Sequence, residues 1–175
     1  MKPSITPTNR EHKMADNDFI VSKTDIKGRI TYANRIFMQM AQYSEAQLLN
    51  VQHNIIRHPD MPRGVFRFLW DTIKQNQEFF GFVKNMSANG DFYWVFANVT
   101  PDYGANGQVK GYYSVRRKPS ENAIKAVTPL YQEMLAIEKR SNAKEGPDRS
   151  IAYLKQFLAD NNTTYQNLAL NLYRS

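Results

Sequence analysis

Cysteine does not occur anywhere in the 175 residues. Disulfides, thiolate metal sites and a cysteine nucleophile are therefore excluded, as is photochemistry that adds a thiol to a bound chromophore. No uncharged apolar run approaches the length needed to cross a bilayer. The first 18 residues are polar, with Pro3 and Pro7, and lack the apolar stretch of a signal peptide, so a cytoplasmic location is expected. Concentrated basic charge is also missing. The net charge is +7, yet the longest basic run is Arg116-Arg117-Lys118, which argues against nucleic acid as a partner. There is no phosphate loop, no paired-histidine metal motif and no nucleophile spaced to a base. The chain is not expected to be an enzyme.

What is present is apolar and aromatic. Hydrophobic residues make up 42%, enough for a real core. Ten Tyr, ten Phe and two Trp could pack that core or line a slot for a flat ligand. From Phe19 the texture becomes regular. Phe19-Ile20-Val21 and Arg29-Ile30-Thr31-Tyr32 flank an Asp25 to Gly28 turn and predict a hairpin. Asn34 can cap a helix over 35–42, and Ser44 with Gln47 forms a capping box for a second. Pro62 suits a helix start, and Val65, Phe66, Leu69, Trp70 and Ile73 form a clear helical stripe. Three strand-like runs follow, Phe79 to Asn85, Phe92 to Pro101 and Val109 to Arg117, the first two joined by Asn89-Gly90.

The order predicts an α+β fold: a five-stranded antiparallel sheet with short helices over one face, followed by C-terminal helices. Three segments are expected: an N-terminal arm (1–18), a central α+β domain (19–118) and a helical C-terminal extension (119–175). In the extension, Ser120 can cap a helix to Thr128, Pro129 should kink or restart it, and Lys144 to Asp148 reads as a linker. Ser150 and Tyr165 begin further amphipathic segments. Those stripes are too short to stand alone in water, so each should pack on the sheet, on a second copy or on a transducer protein.

Three blocks give this order a family likeness. Tyr32-Ala33-Asn34 with Phe37, Asn89-Gly90-Asp91-Phe92-Tyr93-Trp94-Val95, and Gly111 to Arg116 resemble the corresponding blocks of PAS domains. Asn54-Ile55-Ile56-Arg57-His58-Pro59-Asp60-Met61-Pro62 resembles more narrowly the PAS segment of bacterial aerotaxis receptors, which holds FAD. Phe66, Trp70 and Phe82-Val83-Lys84-Asn85 are similar too, and the likeness spans roughly residues 15–138. It implies an FAD-binding sensor of redox state or oxygen-linked electron flow, signalling to a partner protein or through a homodimer. Such receptors continue into membrane helices and a signalling rod. Residues 119–175 read instead as soluble helices.

The resemblance also implies a cofactor set: Arg57, His58, Asp60, Trp70, Asn85, Asn34, Phe66 and Asn98. Asn85 and Asn98 each offer a donor and an acceptor to a flavin's pyrimidine edge, unless they simply end their strands. Arg57 suits a pyrophosphate or adenine, or else a surface ion pair with Asp60. Asp60 would hold Arg57 or His58 or accept from the ribose. Phe66 and Trp70 belong to the core stripe, with Trp70 also able to wall a slot. His58 divides two cofactors: part of a flavin loop, or the axial ligand of a haem gas sensor, with His53 the only other histidine inside the fold. A ligand-free interaction module is the third reading.

Overall fold

Residues 5–175 are described by a computed structural model. The first hairpin is β1 (Ile20–Asp25) and β2 (Ile30–Ala33). Then come α1 (Arg35–Ala41), α2 (Glu45–Leu48), a 3-10 turn (His53–Ile56) and α3 (Arg63–Lys74). Strands β3 (Phe79–Met86), β4 (Phe92–Tyr103) and β5 (Val109–Arg117) precede α4 (Glu121–Arg140), α5 (Gly146–Asp160) and α6 (Tyr165–Arg174). All neighbouring strands run antiparallel in the order β2-β1-β5-β4-β3.

Local signals hold the short helices in place. Asn34 caps α1, its Oδ1 accepting from Phe37 N at 3.0 Å and Val21 N at 3.0 Å, while its Nδ2 donates to Phe19 O at 2.8 Å. The Ser44–Gln47 box closes at both ends, with Ser44 N donating to Gln47 Oε1 at 2.9 Å and Gln47 N to Ser44 Oγ at 3.3 Å. Gly28 turns the first hairpin at φ +80, where a side chain would be strained and would meet Trp70.

The two sheet faces have different partners. Side chains alternate across the sheet, so Val83, Val95 and Ala97 face α1–α3 while Phe82, Trp94 and Phe96 face the other way. The inner layer buries Ile20, Ile30, Phe37, Ile73 and Tyr93 almost completely. The outer face is met by α4 and α6, while α5 packs on α3 and α4. Tyr173 stacks on Phe96 at 4.2 Å between centroids, and Tyr131 on Trp94 at 6.4 Å. The N-terminal arm is stitched beside the β3–β4 hairpin, where Thr8 N donates to Gly90 O and His12 N to Phe92 O.

Two expectations about the extension need correction. Pro129 does not restart a helix: α4, 20 residues long, runs through it from Glu121 to Arg140. The missing N–H removes one rung, but Val127, Leu130, Tyr131 and Met134 are buried along one side, and that packing holds the helix together. The proposed linker is half helix, because α5 begins at Gly146 with Pro147 in its first turn, where a proline loses nothing.

β3 is an edge strand, and the extension covers it. The Tyr131 hydroxyl donates to Phe82 O at 2.7 Å and lies 2.6 Å from the Tyr165 hydroxyl. Burial and mutual repulsion push the Tyr131 phenol well above its ordinary pKa, so it remains a neutral donor. Tyr131→Phe is expected to lower stability by about 1–2 kcal/mol in urea denaturation, because it leaves a buried carbonyl and a hydroxyl short of partners. An unchanged midpoint would show that the pair contributes nothing.

Candidate functional site

A cavity of about 480 Å³ lies between α3 and the inner face of the sheet. That size accommodates a small organic ligand. Each wall follows from local periodicity. On α3, Phe66, Leu69, Trp70 and Ile73 present one helical stripe to it. On β5, Tyr112, Ser114 and Arg116 alternate at the period of a strand, with Val83 and Asn85 on β3 and Ala97 and Val99 on β4. The turn before α3 adds His53, Ile56 and Arg57. Trp70 closes one end, edge-on to Tyr112 at 5.4 Å and against the Gly28 turn.

Four of the eight sequence-derived site residues meet at this cavity: Arg57, Phe66, Trp70 and Asn85. The Arg57 guanidinium lies 5.2 Å from the Phe66 ring centroid, and partial burial lowers its pKa. Its backbone bridges to that of Asn85, which ties the loop to β3. Asn85 is 3% exposed, and no other described residue hydrogen-bonds its carboxamide.

The other four lie elsewhere. Asn34 spends its carboxamide on capping α1 and joining β1 to β2. Asn98 stands opposite Phe80 on the outer face, its Nδ2 directed to Phe79 O at 3.4 Å. His58 is buried beside the cavity, its Nδ1 accepting from Asp60 N at 3.0 Å and its ring edge toward Phe92. Asp60 does not pair with Arg57. It accepts from Lys84 Nζ at 2.8 Å, which keeps its carboxyl below the usual range although burial opposes this. His58, Asp60 and Lys84 thus fasten the loop to β3 from outside.

The sequence reading missed Arg116 and Ser22 and weighed His53 only beside His58 as a haem ligand; the three form the polar end of the cavity. Arg116 is 3% exposed and donates to Ser22 Oγ, and its guanidinium lies 4.5 Å from the Phe37 ring centroid. Its Nε and Nη1 find no hydrogen-bond partner, and no carboxylate pairs with it among the described residues. Desolvation pulls its pKa down to about 10, with Tyr93 opposing slightly. Ser22 Oγ lies 3.1 Å from His53 Nε2, and the His53 ring stacks on Phe37 at 5.7 Å. Desolvation, with the nearby Arg116 charge, pushes His53 down to about 3, so it is neutral at ordinary pH. In the order that gives the serine proton an acceptor, Arg116 donates to Ser22 and Ser22 donates to His53.

The site therefore has aromatic side walls, one unspent carboxamide and one buried cation with donors to spare. Comparison with known proteins agrees with the architecture. Residues 30–116 match the family described as the PAS fold. This segment is a PAS domain. Around it, the chain is 40% identical over 134 residues to the aerotaxis receptor of Escherichia coli (strain K12), covering 77% of this chain and 26% of the receptor. It is 33% identical over 97 residues to the nitrogen fixation regulatory protein of Klebsiella pneumoniae, covering 55% of this chain and 20% of that protein. The chain thus spans about a quarter or less of the relatives it matches. Among solved structures, the PAS domain resembles the LOV domain of the blue-light photoreceptor Aureochrome1 in its light state, with a TM-score of 0.56, 21% identity, and coverage of 66% of this chain and 91% of that one. It also resembles the LOV domain of an Erythrobacter litoralis blue-light-activated histidine kinase, with a TM-score of 0.53, 19% identity, and coverage of 57% and 94%. At such identities these likenesses establish the fold. Among the described residues no helix is long and apolar enough to cross a membrane, and no cluster of three His, Asp or Glu could hold a metal ion.

Proposed function

We propose that the PAS domain is a flavin sensor of redox state, that FAD is its cofactor, and that it signals by a conformational change to a partner protein. Residues 19–118 would be the sensing unit, in the cytoplasm, with residues 119–175 as the output side. The observation that carries this reading is an aromatic-walled cavity lined both by the uncommitted Asn85 carboxamide and by the buried Arg116 guanidinium. A flavin's pyrimidine edge alternates carbonyls with N–H, and a carboxamide matches that alternation with one donor and one acceptor. Arg116 supplies spare donors and a positive charge for the electron-rich carbonyl end. Phe66, Trp70, Val99 and Ile73 line the cavity where an apolar ring would lie. Arg57 stands where a phosphate-bearing tail could reach it.

The cofactor, when bound, accepts and returns electrons. The protein's own part is to bind, orient and respond. A change in charge at the ring must redistribute the donors of Asn85 and Arg116, and both sit on strands packed against the C-terminal helices or joined to strands that are. His53 is a poor axial ligand for haem, because its Nε2 is engaged with Ser22 and its ring is stacked on Phe37. The absence of cysteine rules out a thiol adduct, so a light response would need other chemistry.

The test is the spectrum of the purified protein and the identity of what heat releases. A yellow protein that bleaches under dithionite and releases FAD is expected. Colourless protein, or a sharp Soret band, would overturn the reading. Asn85→Leu, nearly isosteric, is expected to weaken FAD binding about 10-fold or more, since it removes the paired donor and acceptor while filling the same space. Unchanged affinity would remove Asn85 from the site.

A further inference from the structure

The helix that walls the cavity begins without a cap of its own. Pro62 precedes α3 and offers no side-chain hydrogen bond. The first N–H groups of a helix nevertheless need acceptors. They find one far along the chain. Glu138, near the end of α4, accepts from Arg63 N at 3.0 Å through Oε2 and from Gly64 N at 2.8 Å through Oε1. Ser150 of α5 donates to the same Oε1 at 2.7 Å. One buried carboxylate, 8% exposed, thus joins three helices.

The junction has no slack. A Cβ on Gly64 would stand 2.2 Å from Ser150 Oγ, so only glycine lets α5 approach this closely. One turn further along α3, Arg67 pairs with Asp148 in the first turn of α5. Arg63 also donates from Nη1 to Ala143 O at 3.0 Å. The contact is built from α4, from α5 and from the connection between them.

The same turns of α3 carry Phe66 and Trp70, which face the cavity. A ligand that pushes, draws or rotates α3 therefore acts within one or two turns of the carboxylate. Arg63 Nε also lies 3.5 Å from Glu138 Oε2. A buried carboxylate that loses an N–H donor loses part of what offsets its desolvation, so displacing α3 favours α4 and α5 following it or the junction opening. We infer that the Glu138–Ser150 clamp is a coupling element, which passes the state of the cavity to the α4–α5 pair. Its trigger rests on the flavin reading, whereas the clamp and the helices it moves are fixed by separate contacts. Coupling is reciprocal, so loosening the clamp must also alter ligand affinity.

The test is hydrogen exchange of the full chain, stripped and FAD-loaded, for the wild type, Glu138→Gln and Ser150→Ala. Glu138→Gln keeps the volume but removes the charge. Ser150→Ala keeps both N–H donors of Glu138 and removes the Ser150 hydroxyl, which also lies 3.1 Å from Pro147 O within α5, and it serves if the first variant folds poorly. In the wild type, FAD should slow amide exchange in residues 146–160 severalfold. In either variant FAD should still bind, but about fivefold or more weakly, and exchange in α5 should no longer respond to it. A wild type that takes up FAD with no change in α5 would overturn the coupling and leave the flavin reading standing. Variants that transmit as well as the wild type would overturn the clamp. A wild type that takes up no FAD would overturn the flavin reading and, with it, the trigger.

Discussion

Arg116→Met is expected to stabilise the ligand-free protein and to weaken FAD binding about 10- to 100-fold. The two effects have one cause. In the ligand-free protein the guanidinium is desolvated and, among the described residues, recovers one hydrogen bond, to Ser22, and the face of Phe37. No carboxylate compensates it among the described residues. Replacing a buried, poorly compensated charge with an apolar side chain of similar length is neutral or favourable, by up to a few kcal/mol. With a ligand bound the balance reverses. Hydrogen bonds from a charged donor are worth about 1.5–3 kcal/mol, which is the affinity loss named. Urea denaturation of stripped protein and an FAD titration read the two effects separately. A variant that is less stable yet binds FAD normally would make Arg116 a structural strut.

The second large effect is with pH. His53 has its pKa pushed from 6.5 down to about 3 in the folded state. Between those values the unfolded chain binds a proton that the folded chain refuses, so stability rises with pH across that window and is lost as pH falls. The limiting slope is about 1.4 kcal/mol per pH unit. Part of the ring faces the cavity, which moderates the effect, and about 2 kcal/mol should be lost between pH 6.5 and 4.5. His53→Gln cannot take up a proton, so its stability should be flatter over the same range. Parallel curves for the two proteins would show that His53 titrates normally and that the polar end of the cavity is wet.

How much of this was legible in the sequence depends on the kind of signal. Capping and turn residues act locally, so Asn34, Ser44 with Gln47, Gly28 and Asn89-Gly90 mark their elements from sequence alone. The α3 stripe was equally plain, and Phe66 and Trp70 follow from it. Sheet register was not, because it depends on which strand lies opposite. Only the pairing of Asn85 with Tyr93 and of Phe80 with Asn98 turns Asn85 inward and Asn98 outward.

Arg116 shows how one signal can hide another. Within Arg116-Arg117-Lys118 it reads as part of a solvated basic run. Yet Tyr112, Ser114 and Arg116 alternate along β5, and that period places all three at the cavity. His58 and Asp60 share a loop with Arg57 and were grouped with it by motif. Side chains one residue apart need not share a destination, and here Lys84 draws Asp60 to the outside. Glu138 had no sequence signal at all. It caps a helix that begins 75 residues earlier, and only the packed α4–α5 pair brings it there.

The central claim is that the cavity between α3 and the sheet binds a flavin. The measurement that tests it most directly is a titration of stripped protein with FAD, and in parallel with haemin, followed by ligand absorbance and by the thermal unfolding midpoint. The account requires FAD to saturate at one per chain and to raise the midpoint, because a ligand that binds only the folded state must stabilise it. The rise should shrink in Asn85→Leu and Arg116→Met. Absence of saturable FAD binding, or saturation by haemin with a Soret band in its place, would contradict it.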